Sequence, residues 1–290
     1  MFRSATPLTA AGTPTAPARR RTLAGLLLTV IGLPIGGHAE EILPDKFQIQ
    51  VGGFFVTNVN TNVELAAQAG PITAGTRISF EDDLNLSSSD TVPRIDGYYR
   101  FGKRSRVDFT WFKIDRDGTA VTPFDIEFGD ISIPQGTAVT SFFNEEVLKA
   151  TYGLSFYNAP KAELGLSAGL YVARLGVGIN SPINAEEAKA TAPLPVVGAY
   201  FRYNISRRWR FTGKGDFFYL QVGDYRGNLV DVRLNLEHHT WKHAGFGFGL
   251  DVIGNFLEAD DGEFRRNFDN SLAGLQAYVF TNFGRAAYQK

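Results

Sequence analysis

Acidic and basic residues recur two or four positions apart in three stretches of the chain. Asp96, Arg100 and Asp108 lie around a Gly-Lys-Arg-Ser run. Arg208, Arg210, Lys214 and Asp216 share a later segment, and Asp231, Arg233 and Glu237 share the next. In an extended strand, residues at even spacing point to one face. On an enclosed face such charges must pair or neutralise. The chemistry they point to is a salt-bridge ladder filling an interior, with an ion-selective lining as its functional counterpart.

Reactive side chains are few. After residue 39 the histidines are His238, His239 and His243, gathered around Thr240-Trp241. Neighbours on a strand face opposite ways, so at most one of His238 and His239 joins a shared site. The acidic trio Glu81-Asp82-Asp83 lacks the alternating spacing of a calcium loop. The absence of Cys excludes thiolate chemistry and disulfides. No H-E-x-x-H pair or Walker loop occurs. No catalytic residue, metal ligand or cofactor site is assigned.

The segments that carry the charges alternate with a period of two. Leu164, Leu166, Ala168, Leu170 and Val172 alternate with Glu163, Gly165, Ser167, Gly169 and Tyr171. Four hairpins turn tightly, at GKRS, NAPK, ISR and TW, and longer polar connections separate them. Several runs reach the ~9–11 residues a tilted strand needs to cross hydrocarbon. The fold expected is all-β, a closed antiparallel up-and-down barrel of twelve strands, with ten as the alternative. The count depends on residues 61–80, read as a hairpin turning at Gly70-Pro71. The segment 119–129 breaks the up-down parity and is read as a hairpin extending beyond the sheet.

The first 39 residues read as a processing segment: Arg19-Arg20-Arg21, a short apolar run, then Gly37-His38-Ala39. A cut after Ala39 is expected, giving a cleaved signal peptide over 1–39 and one barrel domain over 40–290. Removing the segment takes four Arg and no acid, so 25 Lys and Arg face 30 Asp and Glu, a net charge of −5. That balance carries no basic stripe and excludes a nucleic-acid partner.

The last alternating run, GLQAYVFTNF, ends at Phe283 with Val279, Ala277 and Leu275 on the same alternating face before it. It resembles the C-terminal assembly signal of bacterial outer-membrane β-barrels, although Thr281 interrupts the apolar series and GRAAYQK follows. EDDLNL at 81–86 and YRFGKRSRVDFTWFKIDRDG at 99–118 are similar in style to small outer-membrane barrels of an uncharacterised family. The resemblance implies the cell outer membrane as location, porin-like architecture, and membrane lipid, lipopolysaccharide and the assembly machinery as partners. It leaves open a structural or adhesive role, limited small-solute passage, a lipid-modifying enzyme, and a soluble secreted barrel.

In that topology the short turns make a basic rim, with Lys103, Arg104, Arg106, Lys161, Arg207, Arg208 and Lys242 against Glu163 alone. The long loops are acidic, and divalent cations are the partners such a rim would attract. All three histidines fall at the basic rim, whereas a hydrolase of outer-leaflet lipid needs His and Ser near the other rim or on the outward face.

Overall fold

The computed structural model describes residues 45–69, 72–128, 131–182, 185–223, 225–260 and 264–285. The processing segment, its cut after Ala39 and the Gly70-Pro71 turn lie outside the described residues. Strands β1 (Asp45–Ala69), β2 (Ile72–Ser79), β3 (Asp90–Arg100) and β4 (Ser105–Val121) come first. Two three-residue strands follow, β5 (Ile126–Phe128) and β6 (Ile131–Ile133). Then come β7 (Ala138–Asn158), β8 (Ala162–Asn180), β9 (Ala185–Asn204) and β10 (Trp209–Val222). The chain continues with β11 (Tyr225–His238), β12 (Ala244–Asp260) and β13 (Phe264–Arg285).

Ten of these strands pair in the order β1-β3-β4-β7-β8-β9-β10-β11-β12-β13, and β13 pairs back to β1, closing the sheet. Closure leaves no strand edge bare, which hydrocarbon requires because an unpaired peptide group there costs several kcal/mol. The closing ladder runs from Asp45↔Arg285 to Ala67↔Phe264, shifting register once at Val56/Asn58. Ten strands, not twelve, therefore make the barrel. The two extra strands expected over 61–80 are instead the far end of β1 and the short β2. Beyond the reach of β3, which pairs only as far as Val56, β1 takes β2 as its partner over Asn62–Ala69. The segment that broke parity becomes the end of β4 plus the separate β5–β6 hairpin.

The outward face of each strand is apolar over a limited height. On β8 it runs from Leu164 to Val172, and in register on β7 from Tyr157 to Leu148. One row further the outward residues are Lys113, Glu146 and Arg174, adjacent in register. Arg174 pairs with Glu146 at 3.0 Å, and Trp111 Nε1 donates to the same carboxylate at 3.0 Å. This row marks one border of an apolar belt about nine residues tall, the length a tilted strand needs to cross a bilayer. At the other border, by the short turns, rings gather: Phe47 stacks on Phe283 with centroids 6.2 Å apart, and Phe101 lies 5.8 Å from Tyr152. Aromatic girdles belong at such interfaces.

Past the charged row the strands continue. β7 has ten residues beyond the belt, Ala138–Val147. Val139 and Phe143 of this stretch, with Phe80, Leu84, Leu86, Ile126 and Ile133, form an apolar cluster at the long-loop end. The turn after β2 folds inward to supply three of these side chains. Asn85 adopts a left-handed conformation, φ 56°, to make that turn. Gly118 lets it pass, since a Cβ there would lie 2.6 Å from the Asn85 carbonyl oxygen.

Candidate functional site

The interior of the barrel is layered. At the short-turn end sits a charged zone, above it an apolar layer, then a thin polar layer, then the outer apolar cluster. The strands place these side chains because their inward positions carry charge low in the barrel and Phe, Leu, Ile and Val higher up.

The lowest centre is Glu163, completely buried. Arg100 grips both its oxygens, at 2.7 and 2.6 Å, and Arg202 Nε donates to it at 3.1 Å. Ser155 Oγ donates at 2.5 Å and also meets the Tyr200 hydroxyl at 3.0 Å. The Tyr200 ring lies where a side chain at Gly165 would be, since a Cβ there would stand 2.2 Å from its Cζ. Arg106 caps that ring at 3.6 Å. Alongside, Arg210 faces Glu237 at 3.6 Å, and Glu237 accepts from Gln48, Gln50 and the Tyr278 hydroxyl at 2.9–3.2 Å.

The middle of the charged zone is paired across the bore. Lys149 of β7 bridges Asp216 and Asp231 at 2.8 and 2.6 Å. Arg94 joins Asp96 at 2.8 Å and Asp251 at 2.5 Å, while Arg233 reaches across to Asp96. Lys214 lies 3.8 Å from Asp108 and donates to Thr151 at 2.5 Å. Register explains this arrangement. Lys214 stands opposite Arg233, Asp216 opposite Asp231 and Arg100 opposite Arg106, like against like. Like charges directly opposite destabilise a sheet pair. Arg100, Lys214, Arg233, Asp216 and Asp231 find counter-ions on distant strands, while Arg106 pairs with Asp108 on its own strand at 3.1 Å. Arg94 also ends the zone, its guanidinium between the rings of Phe54 and Phe112 at 5.4 and 5.1 Å. Those rings begin the apolar layer, which includes Val147, Tyr171, Leu229, Ile253 and Leu272.

Of the charges singled out in the sequence, Asp96, Arg100, Asp108, Arg210, Lys214, Asp216, Asp231, Arg233 and Glu237 lie inside. Arg208 does not. It is exposed in the turn between β9 and β10, one residue before β10 begins at Trp209. Glu163, Lys149, Arg202, Asp251 and Arg94 belong to the same network. All five were legible: Arg94 shares the inward face of Asp96 and Arg100, and Glu163, Lys149, Arg202 and Asp251 each sit between two apolar residues on an alternating strand. Glu163 and Arg202 pair as direct neighbours in the β8–β9 ladder. The counter-ions of Lys149 and Asp251 were not legible, because that pairing runs across the bore.

The thin polar layer absorbs part of the acidic trio. Glu81 accepts from Arg116 at 2.5 Å and from the Thr61 amide at 2.8 Å, and Asp83 accepts from the Ser79 amide at 2.8 Å. Among the described residues no three His, Asp or Glu converge as a metal site.

The histidines cluster at the short-turn rim. His238 packs between Trp209 and Phe246, with centroids at 4.6 and 5.2 Å, and His239 turns the other way, 4.9 Å from Phe280. Burial, with the charge of Arg210 and His238 added, pushes His239 down to about 3. Elsewhere, Gly165-Leu166-Ser167-Ala168-Gly169 has the G-x-S-x-G spacing. A nucleophile elbow needs a sharp strand-to-helix turn, whereas Ser167 lies mid-strand in β8, its hydroxyl 3.3 Å from Asp216.

A closed ten-strand ladder with an apolar belt outside and ion pairs inside defines an integral β-barrel of the outer-membrane type, with its short turns on the periplasmic side. Solved structures agree on the fold. The outer membrane protease OmpT from Escherichia coli matches at TM-score 0.55 and 11% identity, over 85% of this chain and 99% of that one. The attachment invasion locus protein Ail of Yersinia pestis matches at TM-score 0.32 and 8% identity, over 80% of this chain and 97% of that one. The toluene transporter TodX of P. putida matches at 0.33 and 10%, over 83% and 91%. The fold comparison rests on the first of these. No family model matches the chain. No curated protein matches it either.

Proposed function

We propose that this chain is a sealed outer-membrane barrel with a structural or adhesive role at the cell surface. The observation that supports this reading is the apolar layer seated on the paired charges, two successive obstacles to a hydrated ion. The cavity within the charged zone holds about 70 Å³, room for a few waters. Beyond the belt, the extended strands offer a stiff, acidic surface to lipopolysaccharide and, through divalent cations, to other anionic partners. The belt contacts membrane lipid, and β13 with Phe283 serves the assembly machinery.

Planar-bilayer conductance tests the reading. Silence is expected from the purified full chain, and steady discrete openings whose ion selectivity changes in Arg233→Gln would overturn it in favour of small-solute passage. A lipid-modifying activity is disfavoured by the place of the histidines. Turnover of outer-leaflet lipid that vanishes in the triple variant His238→Gln, His239→Gln, His243→Gln would restore it.

A further inference from the structure

The mouth at the periplasmic end of the bore is lined by more cationic than acidic groups. A pocket of about 350 Å³ opens there, lined among others by Arg207, Arg208, Arg210, Lys242 and His239, with Asp45 as its acid. Its inner wall, Arg210, also lines the smaller cavity of the charged zone, together with Arg202. Arg202 is 3% exposed, and only its Nε is used, on Glu163. Both its terminal nitrogens are buried and find no hydrogen-bond partner. His239 Nε2, in the wall of the mouth, is likewise buried and unpartnered.

A buried donor left without an acceptor is costly, more so when charged. Here two such donors share one planar guanidinium, whose fork matches an oxyanion held bidentately. The geometry points to an anion site in which a phosphate or carboxylate group, admitted through the basic periplasmic mouth, is gripped by the free fork of Arg202 beside Arg210. Arg208 and Lys242 at the mouth steer the anion inward, and the rest of a larger ligand occupies the mouth pocket next to Trp241. The site is reached from the periplasm alone and requires no path through the barrel.

The test uses the full chain in a neutral maltoside detergent, titrated calorimetrically with inorganic phosphate and separately with succinate. Saturable binding of either is expected, weakened at least tenfold in Arg202→Gln and severalfold in the double variant Arg208→Gln, Lys242→Gln. Arg202→Lys, which keeps the charge but loses the fork, should bind as weakly as Arg202→Gln. Absence of saturable binding by the wild type overturns the proposal, as does undiminished affinity in Arg202→Gln. If Arg202→Gln fails to fold, the exposed double variant decides, and unchanged affinity there overturns it. Repeating the titration in phosphatidylcholine and in phosphatidylglycerol vesicles separates two sources. Phosphate binding lost only in the anionic vesicles identifies the ligand as a lipid headgroup, and binding kept in both identifies a free anion. Either result is independent of whether the barrel conducts.

Discussion

Glu163 shows how one side chain organises its surroundings. It anchors two arginines and a serine at the bottom of the bore. Removing one partner of a buried ion pair leaves an uncompensated charge and costs about 3–5 kcal/mol. Glu163→Ala is expected to lose stability on that order in urea unfolding from lipid vesicles, and far more than Glu187→Ala on an exposed pair with Lys189. His239 gives a pH dependence of defined sign. Its folded pKa lies near 3, below the ordinary value of about 6.5. Between those values the unfolded chain binds the extra proton, so stability rises with pH. The contribution is complete above about pH 6.5 and fades as pH falls toward 3. Unfolding free energies measured from pH 7 to pH 4 should fall less steeply in His239→Gln than in the wild type.

At the scale of elements, β13 does two jobs. It closes the ladder against β1, and it presents Leu275, Ala277, Val279 and Phe283 outward on one alternating face. Phe283 is half exposed and rests on Phe47, so little of the folded packing depends on it. Phe283→Ala is therefore expected to lower the amount of folded protein reaching the outer membrane several-fold, while stability of the refolded, purified protein changes by less than about 1 kcal/mol, as for most surface changes. Pulse-labelled cells followed by fractionation give the first quantity and denaturant melts the second. A matching loss in both would place Phe283 in folding stability alone.

The elements also show what the sequence carries openly. Alternation such as Leu164 to Val172 announces both faces of a strand, and tight turns such as Gly102 to Arg104 announce their joins. Residues 58–91 were harder, because β1 is a 25-residue strand that changes partner midway. A change of partner has no local signature, so a single long strand looked like two short ones. The same limit hid the counter-ions that pair across the charged zone. Register and bore-crossing contacts are properties of the closed sheet, and Lys149 gives no sign in its own neighbourhood of meeting Asp216 and Asp231.

For the whole molecule, the outer belt and the inner charges invert the usual distribution of polarity. Leu166, Val197, Val279 and Trp241 are more than half exposed to the surroundings, while Arg100 and Asp216 are sealed. Exposed apolar area of this extent marks an interaction surface, and here the partner is hydrocarbon. Carbonate or high-salt washing should leave the protein in the membrane pellet, and only detergent should release it. Recovery in the carbonate supernatant would return the soluble secreted barrel to consideration.

The first and last strands meet so closely that Asp45 and Arg285 are register partners. A short peptide could join the two ends into a ring, and the ring could be cut at another periplasmic turn without disturbing any strand pair. Opened after Gly102, the rearranged chain would finish on β3, offering Ile95, Gly97, Tyr99 and Phe101 in the positions now held by β13. Such a permuted protein separates what belongs to a terminal strand from what belongs to this terminal strand, and so makes the order of the staves an experimental variable.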